Sequence, residues 1–137
     1  MKVFDAHIHF DKYTEQDREA IWRSFKQYNV EGLINVSMDL SSCIENLKLA
    51  KMYPTIYPAF GFHPEQPLPT EVELMELIGW MEKHQDKMVA VGEVGLPFYL
   101  REKESNGSFP LNQYIDVLEN YIKLAAKWEK PIILHAV

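Results

Sequence analysis

The residues best suited to chemistry begin in the first strand-like segment, residues 3–9. Period-two alternation places Asp5, His7 and His9 on one face of this strand and apolar residues on the other. Two imidazoles that stand two residues apart on one face, near the carboxyl end of a strand, can reach one cation at the roughly 2.0–2.1 Å of a Zn–N bond. We expect this ionisable face to be buried, because parallel neighbours would flank the strand, and a bound metal would offset the cost of burial. The alternative is a pair of ordinary hydrogen-bonded histidines.

A carboxylate stands near the carboxyl end of another apolar segment, residues 88–94. This residue is Glu93, and the neighbouring Gly92 and Gly95 leave room beside it. Buried acids are rarely unpaired, so we expect Glu93 to contact a cation, and its two oxygens can bridge two metal ions. The alternative is a salt bridge to Lys or Arg in a structural network.

Two further histidines follow apolar segments. His135 ends the fifth such segment, and His63 lies just beyond the third, in a loop that Pro64 stiffens. The remaining candidate, His84, is expected to be an exposed residue at a helix end, where its positive form would suit the helix dipole.

The segments that carry these residues alternate between strand-like runs and helical stretches. The predicted strands are residues 3–9, 33–38, 56–62, 88–94 and 132–135. Hydroxyl and carboxylate pairs predict the starts of three helices at Thr14–Asp17, Ser42–Glu45 and Thr70–Glu73. A fourth helix, at about 111–129, has a predicted buried stripe of Tyr114, Leu118, Tyr121, Ile122, Ala125 and Trp128.

This alternation predicts an α/β fold with parallel strands, in one of two architectures. The length of 137 residues favours an open doubly wound sheet, since a (β/α)₈ barrel typically needs about 250 residues. In both architectures the carboxyl ends of the strands lie at one end of the sheet, which we call the mouth. The candidate residues should converge there: His7, His9, Glu93 and His135. This mixture of imidazole and carboxylate suits Zn, Mn or Fe better than Ca and indicates metal-assisted hydrolysis.

The composition restricts the class of protein. Lys plus Arg number 14 against 20 for Asp plus Glu, and the net charge of −6 gives no basic surface for wrapping nucleic acid non-specifically. A single cysteine, Cys43, excludes an internal disulfide. No signal peptide and no run of about 18 apolar residues is present, so we expect one cytoplasmic domain, residues 1–137, with no membrane partner.

Four motifs, in their order and spacing, resemble those of the TatD-related metal-dependent hydrolases of the amidohydrolase superfamily. They are FDAHIH at residues 4–9, GFHP at 61–64, GEVGL at 92–96 and PIILH at 131–135. The resemblance implies a partial TIM (β/α)₈ barrel, with about four βα units plus a fifth strand. It covers about the first half of such a protein, so the family's ligands from its sixth and eighth strands fall outside these residues.

The resemblance also implies roles for the candidate residues. His7 and His9 would bind a first metal, Glu93 would bridge two metals as the catalytic carboxylate, and His135 would bind the second. His63 resembles the family histidine near the substrate phosphate. The implied activity is hydrolysis of phosphodiester bonds in DNA with two divalent cations, Zn, Mn, Mg or Fe, and an activated water.

The segment 97–110 follows Glu93 and offers Arg101 and Lys103 near the mouth. It is expected to be either a solvated polar loop or a substrate-binding loop in which Phe98 and Tyr99 stack on a base. We assign Arg101 as a candidate substrate-binding residue.

Two other classes of function compete with the hydrolase. One is a catalytically incomplete half-barrel that binds metal partially and forms a homo-oligomer through its open sheet edges. The other is a five-stranded flavin-binding or phosphoacceptor module. That module is disfavoured because His9, His63 and His135 occupy the positions where its acidic pair, acceptor Asp and Lys are expected.

Overall fold

The fold is a curled half-barrel of five parallel strands with helices between them. A computed structural model describes residues 1–104, 107 and 109–136. The strands are β1 (Val3–Ile8), β2 (Val30–Val36), β3 (Ile56–Phe60), β4 (Ala90–Gly95) and β5 (Ile132–His135). The helices are α1 (Glu15–Tyr28), α2 (Leu40–Met52), α3 (Glu71–His84), α4 (Tyr99–Lys103) and α5 (Leu111–Lys127), with a 3-10 turn at Phe10–Lys12.

The strand order distinguishes between the two predicted architectures. The strands lie side by side in the sequential order β1-β2-β3-β4-β5, and every neighbouring pair is parallel. A doubly wound sheet reverses its order at a switch point, whereas a barrel proceeds in one direction. The prediction of a partial TIM barrel is confirmed, and the open sheet that the length favoured is wrong.

The helix starts follow local hydrogen bonding. Thr14 caps α1 by accepting from the Asp17 amide, and Thr70 forms a capping box with Glu73 at the start of α3, as predicted.

The predicted capping box Ser42–Glu45 is wrong, because α2 starts earlier. The Asp39 carboxylate accepts from the Ser42 amide at 2.8 Å, and Ser42 Oγ accepts from the Asp39 amide at 2.9 Å. Asp39 is therefore the N-cap and Ser42 the residue that closes the box. The Glu45 carboxylate faces the Arg18 guanidinium at 3.7 Å.

The first strand differs from its prediction in burial. In the described part of the chain β1 pairs with β2 alone, so its residues are exposed and the expected burial of the whole ionisable face is wrong. Strand β2 starts at Val30 rather than residue 33, because Val30 aligns with Val3 at the start of β1.

The largest apolar core lies between the sheet and α3 and α5. Tyr114, Tyr121, Ala125 and Trp128 of the predicted stripe are buried, and Leu118 packs partly against this core. Ile122 is the exception, since it is 46% exposed and faces away from the core.

The two glycines of β4 bring it close to β5. A Cβ on Gly92 would lie 2.8 Å from Ile133 Cβ, and a Cβ on Gly95 would lie 2.5 Å from the carbonyl oxygen of His135. The room that these glycines leave is therefore occupied by β5, which brings His135 beside Glu93.

The segment 97–110 is not wholly a loop, because α4 forms within it. Ser105, Asn106 and Ser108 of this segment lie outside the described residues. Within residues 1–104, 107 and 109–136, none of the helices is both long enough and apolar enough to span a membrane.

Candidate metal centre

The centre of the site is the carboxylate of Glu93, which β4 carries to the mouth of the half-barrel. Its side chain is only 4% exposed. Four imidazole rings surround it, and they come from the ends of β1, β3 and β5. Among the described residues no Lys or Arg pairs with Glu93, so the salt-bridge alternative has no support here.

The two histidines of the first motif meet one carboxylate oxygen. His7 Nε2 lies 3.0 Å from Glu93 Oε2, and His9 Nε2 lies 3.4 Å from the same oxygen. The ligand atoms of these three residues lie within 4.8 Å of one another, which is compact enough for a single cation. Asp5, the remaining residue of the predicted ionisable face, accepts a hydrogen bond from the His7 amide at 3.0 Å.

His135 approaches the other oxygen of the same carboxylate. Its Nδ1 lies 2.8 Å from Glu93 Oε1, so Oε1 faces His135 whereas Oε2 faces the other three imidazoles. This division suits a carboxylate that bridges two cations, one beside β1 and one beside β5.

His63 also lies beside Glu93, but its ring nitrogens differ in protonation from those of a metal ligand. Its Nε2 lies 3.6 Å from Glu93 Oε2, while its Nδ1 accepts a hydrogen bond from the Glu65 amide at 3.1 Å. In the neutral ring the proton is therefore on Nε2, the nitrogen directed at the site. A protonated nitrogen donates to an oxygen and does not ligate a metal.

Burial and neighbouring charges shift the pKa values of Glu93 and His63 in the metal-free protein. Burial raises the pKa of the Glu93 carboxyl, but contacts with His9 and His135 and the charges of His7 and His63 outweigh it and lower the pKa to about 2. Burial lowers the pKa of His63; Glu93 opposes this shift, and His135 and His9 reinforce it. Glu93 is thus ionised at neutral pH, and burial favours the neutral form of His63.

The donor set fits divalent cations. In the described part of the chain, three buried atoms have no hydrogen-bond partner: Glu93 Oε2, His9 Nδ1 and His135 Nε2. Three imidazoles nevertheless lie near Glu93 Oε2. Buried imidazole and carboxylate groups gathered without complementary donors and acceptors are stabilised by a metal ion. The imidazoles of His7, His9 and His135 and the carboxylate of Glu93 are ligands that Zn, Mn and Fe accept.

A buried polar network connects the segments that carry His9 and Glu93. The Asn35 carboxamide accepts from the Phe10 amide at 2.7 Å and donates to Asn46 Oδ1 at 2.7 Å. Asn46 in turn donates to Ser37 Oγ at 2.9 Å. The backbone of Ser37 bonds to Gly92 and Glu93, which completes the connection to β4.

The structure brings together the histidines and the glutamate that the sequence singled out, and it adds supporting residues that the sequence did not indicate. Asn35, Ser37 and Asn46 are fully buried, and nothing in their local pattern indicated a link to the ligands. Glu65 was also missed, although it adjoins His63 and Pro64, and its carboxylate lies 3.5 Å from His135 Nε2.

The other candidate residues lie around the mouth or away from it. Arg101 lies on α4 and lines, together with His135, a surface cavity of about 350 Å³. His84 is half-buried rather than fully exposed, because its ring stacks on Trp80. Cys43 is buried in the core, and burial raises the pKa of its thiol to about 12.

A half-barrel with a cluster of imidazoles around one carboxylate is typical of the α/β-barrel metal-dependent hydrolases. Within that class, the chain belongs to the TatD-related DNase family, whose model matches residues 4–137.

Several named proteins are similar to this chain. An uncharacterized metal-dependent hydrolase of Haemophilus influenzae is 38% identical over 98% of this chain and 52% of its own length. The human deoxyribonuclease TATDN3 is 28% identical over 98% of this chain and 52% of its own length. The chain spans about half the length of the curated relatives that it matches.

A solved structure shows the same fold. The crystal structure of YjjV, a TatD homologue from Escherichia coli, superposes with a TM-score of 0.79 and is 31% identical. The superposition covers 96% of this chain and 49% of YjjV.

Proposed function

We propose that the site of this chain hydrolyses phosphodiester bonds, with DNA as the substrate, and that it does so with two divalent cations. The observation that carries the proposal is the Glu93 carboxylate, of which Oε2 faces His7 and His9 and Oε1 faces His135. Membership of a family described by its DNase activity supports the same reaction class.

The residues divide between two cation positions. His7, His9 and Glu93 Oε2 would hold the first cation, and Glu93 Oε1 with His135 Nδ1 would hold the second. Zn, Mn, Mg and Fe are the candidate ions. When bound, such ions lower the pKa of a water towards neutrality and polarise a phosphoryl oxygen.

His63 contributes a hydrogen-bond donor rather than a ligand. The Glu65 amide holds Nδ1, so the Nε2–H of His63 is free to donate to a non-bridging phosphate oxygen. This is also the role that the family resemblance implies for it. Because burial favours the neutral ring, the donor directed at the phosphate would be an imidazole rather than an imidazolium.

The substrate would enter beside α4. Arg101 lines the cavity next to His135, where its guanidinium can pair with a phosphate adjacent to the cleaved bond. Phe98 and Tyr99 are exposed on the same segment and are available to stack on a base. A few local contacts of this kind are compatible with a net charge of −6.

The direct test replaces Glu93 and measures metal content and hydrolysis together. We expect Glu93→Gln to lose bound metal and to lower phosphodiesterase activity on DNA by more than about 100-fold. Removal of a partner that only supports a ligand costs 10- to 100-fold in affinity or activity, and Glu93 is itself the shared ligand. Asp116→Asn, on the exposed side of α5, is the matched control and should retain both properties.

Two results would count against the proposal. One is a purified wild-type protein that binds no divalent metal under saturating conditions. The other is a Glu93→Gln protein that keeps wild-type metal content and wild-type hydrolysis.

A second candidate function rests on the exposed strand edges. Among the described residues β1 and β5 each pair with a single neighbour, and Phe4 and Leu134 are exposed there. We propose that a chain limited to these strands associates with a second copy through these edges.

A further inference from the structure

Glu65 lies in the loop between β3 and α3, where its carboxylate accepts three backbone hydrogen bonds. Glu65 Oε1 accepts from the amides of Phe98 at 2.5 Å and Tyr99 at 2.8 Å. Glu65 Oε2 accepts from the amide of Leu100 at 2.9 Å. The carboxylate therefore holds the first turn of α4 in place, far along the chain from Glu65 itself.

The same carboxylate also faces a candidate metal ligand. Glu65 Oε1 lies 3.5 Å from Nε2 of His135, whose Nδ1 lies 2.8 Å from Glu93 Oε1. The ring of His135 thus stands between two carboxylates, one at each nitrogen. Its Nε2 is buried and has no hydrogen-bond partner among the residues that the structure describes. A shift of a few tenths of an ångström would bring it within hydrogen-bonding distance of Glu65.

We propose that Glu65 is a positioning residue: with the second cation bound, it would accept a hydrogen bond from Nε2–H of His135 and so direct the Nδ1 lone pair at that cation. The inference rests on the proposed function, because it assigns a metal to His135. A histidine can ligate only through an unprotonated nitrogen, and a hydrogen bond at its other nitrogen determines which one that is. An acceptor carboxylate also makes the ligating nitrogen more basic.

Glu65 also links His135, the candidate metal ligand, to the helix beside which the substrate would enter. The carboxylate that orients His135 is the one that holds the start of α4, and α4 carries Arg101. Both His135 and Arg101 line the same cavity. Glu65 therefore sets the position of a metal ligand relative to a residue that would contact phosphate.

The test compares two carboxylates that each accept backbone hydrogen bonds at a helix start. Glu65→Ala and Glu65→Gln are the test variants. Glu73→Ala is the control, because Glu73 accepts from the Thr70 amide at 2.7 Å at the start of α3, away from the imidazole cluster. Zn²⁺ affinity of the purified protein is measured by competition with a chromophoric chelator, and thermal unfolding is recorded for each variant without metal.

We expect Glu65→Ala to weaken the second Zn²⁺ site by about 10- to 100-fold, the range typical for loss of such a partner. Glu65→Gln retains an acceptor oxygen, so its loss of affinity should be smaller. Glu73→Ala should lower the unfolding temperature and leave both Zn²⁺ affinities unchanged. If Glu65→Ala and Glu65→Gln both bind Zn²⁺ as the wild type does, Glu65 only caps α4 and the proposal is wrong.

Nitrogen-15 NMR of the His135 ring separates this inference from the proposed function. In the Zn²⁺-loaded wild type we expect His135 to ligate through Nδ1 and to carry its proton on Nε2, whereas in the metal-free protein Nδ1 carries the proton and donates to Glu93. A Zn²⁺-loaded wild-type ring that keeps its proton on Nδ1 would overturn the role of Glu65 whatever the metal affinities. If the wild type binds no Zn²⁺, the proposed function fails; if it binds Zn²⁺ and Glu65→Ala binds it equally well, only the role of Glu65 fails.

Discussion

At the level of single residues, the candidate metal centre is held in place by side chains that would not themselves bind a metal. Asn46 is buried on α2, and its carboxamide connects Asn35 to Ser37. Through these two residues it links the Phe10 amide, next to His9, with the backbone of Glu93. A fully satisfied buried network of this kind restricts its members to one arrangement.

We expect Asn46→Leu to lower the free energy of unfolding. The substitution keeps the volume of the side chain but leaves Asn35 Nδ2 and the Val36 carbonyl without their partner. Each buried group left unpaired costs about 1–3 kcal/mol. Urea denaturation followed by circular dichroism measures the change. Lys48→Leu, an exposed position of the same helix, should stay within about 0.5 kcal/mol of the wild type.

Residue types alone identified the metal-binding candidates but not their supports. His7, His9, Glu93 and His135 could be predicted because imidazoles and a carboxylate at strand ends are costly to bury without a cation. Glu65 and Asn46 could not, because an acid in a loop and an amide in a helix are common on surfaces. Their importance follows from partners far away in the sequence.

At the scale of elements, two strands and their glycines determine how His135 meets Glu93. The Cβ positions of Gly92 and Gly95 are occupied by β5, so both glycines are needed for the close approach of β4 and β5. The sequence indicated that these glycines leave room, but it did not indicate which element fills it.

Gly95→Ala and Gly79→Ala form a matched pair with opposite expected results. A Cβ on Gly95 would lie 2.5 Å from the His135 carbonyl oxygen, so β5 must move, and overpacking of this kind costs about 1–3 kcal/mol. A Cβ on Gly79 meets nothing within 4 Å, and in a helix alanine is more stable than glycine by about 0.5–1 kcal/mol.

For both variants we would measure the free energy of unfolding by chemical denaturation, and the affinity for Zn²⁺. We expect Gly95→Ala to be less stable and to bind Zn²⁺ more weakly, since His135 moves with β5. Gly79→Ala should be more stable with unchanged affinity. A Gly95→Ala protein with wild-type stability and wild-type affinity would show that the contact between β4 and β5 does not position the site.

At the scale of the whole molecule, the half-barrel leaves two strands with one neighbour each. In the part of the chain that the structure describes, β1 pairs with β2 and β5 pairs with β4. Unpaired backbone groups on such strands form hydrogen bonds with another strand, and a lysine on the edge opposes this pairing.

We expect the 137-residue chain to self-associate, and Leu134→Lys to shift it towards the monomer. Leu134 is 56% exposed on β5, so a lysine there adds charge to the edge without disturbing the core. Sedimentation velocity over a range of concentrations measures the change. Met75→Lys is the control, because Met75 is exposed on α3, away from both edges. A strictly monomeric wild-type chain would contradict the expectation.

Sequence patterns alone were enough to predict the alternation of strands and helices, the parallel α/β class and the candidate ligands at the strand ends. These features depend on local periodicity and on the polarity of parallel strands, which brings their carboxyl ends to one mouth. The positions of His7, Glu93 and His135 at that mouth follow from the same reasoning.

Other features of the fold and the site depend on contacts between distant residues, which local sequence patterns do not predict. The tertiary structure set the sequential strand order, left β1 exposed at an edge, and placed Asp39 rather than Ser42 at the start of α2. It also brought Glu65 to His135 and α4. The strand order and the Glu65 contacts depend on pairing between distant segments. The N-cap of α2 depends on which of several neighbouring side chains forms the hydrogen bonds at the helix start, and this is seen only in the folded chain.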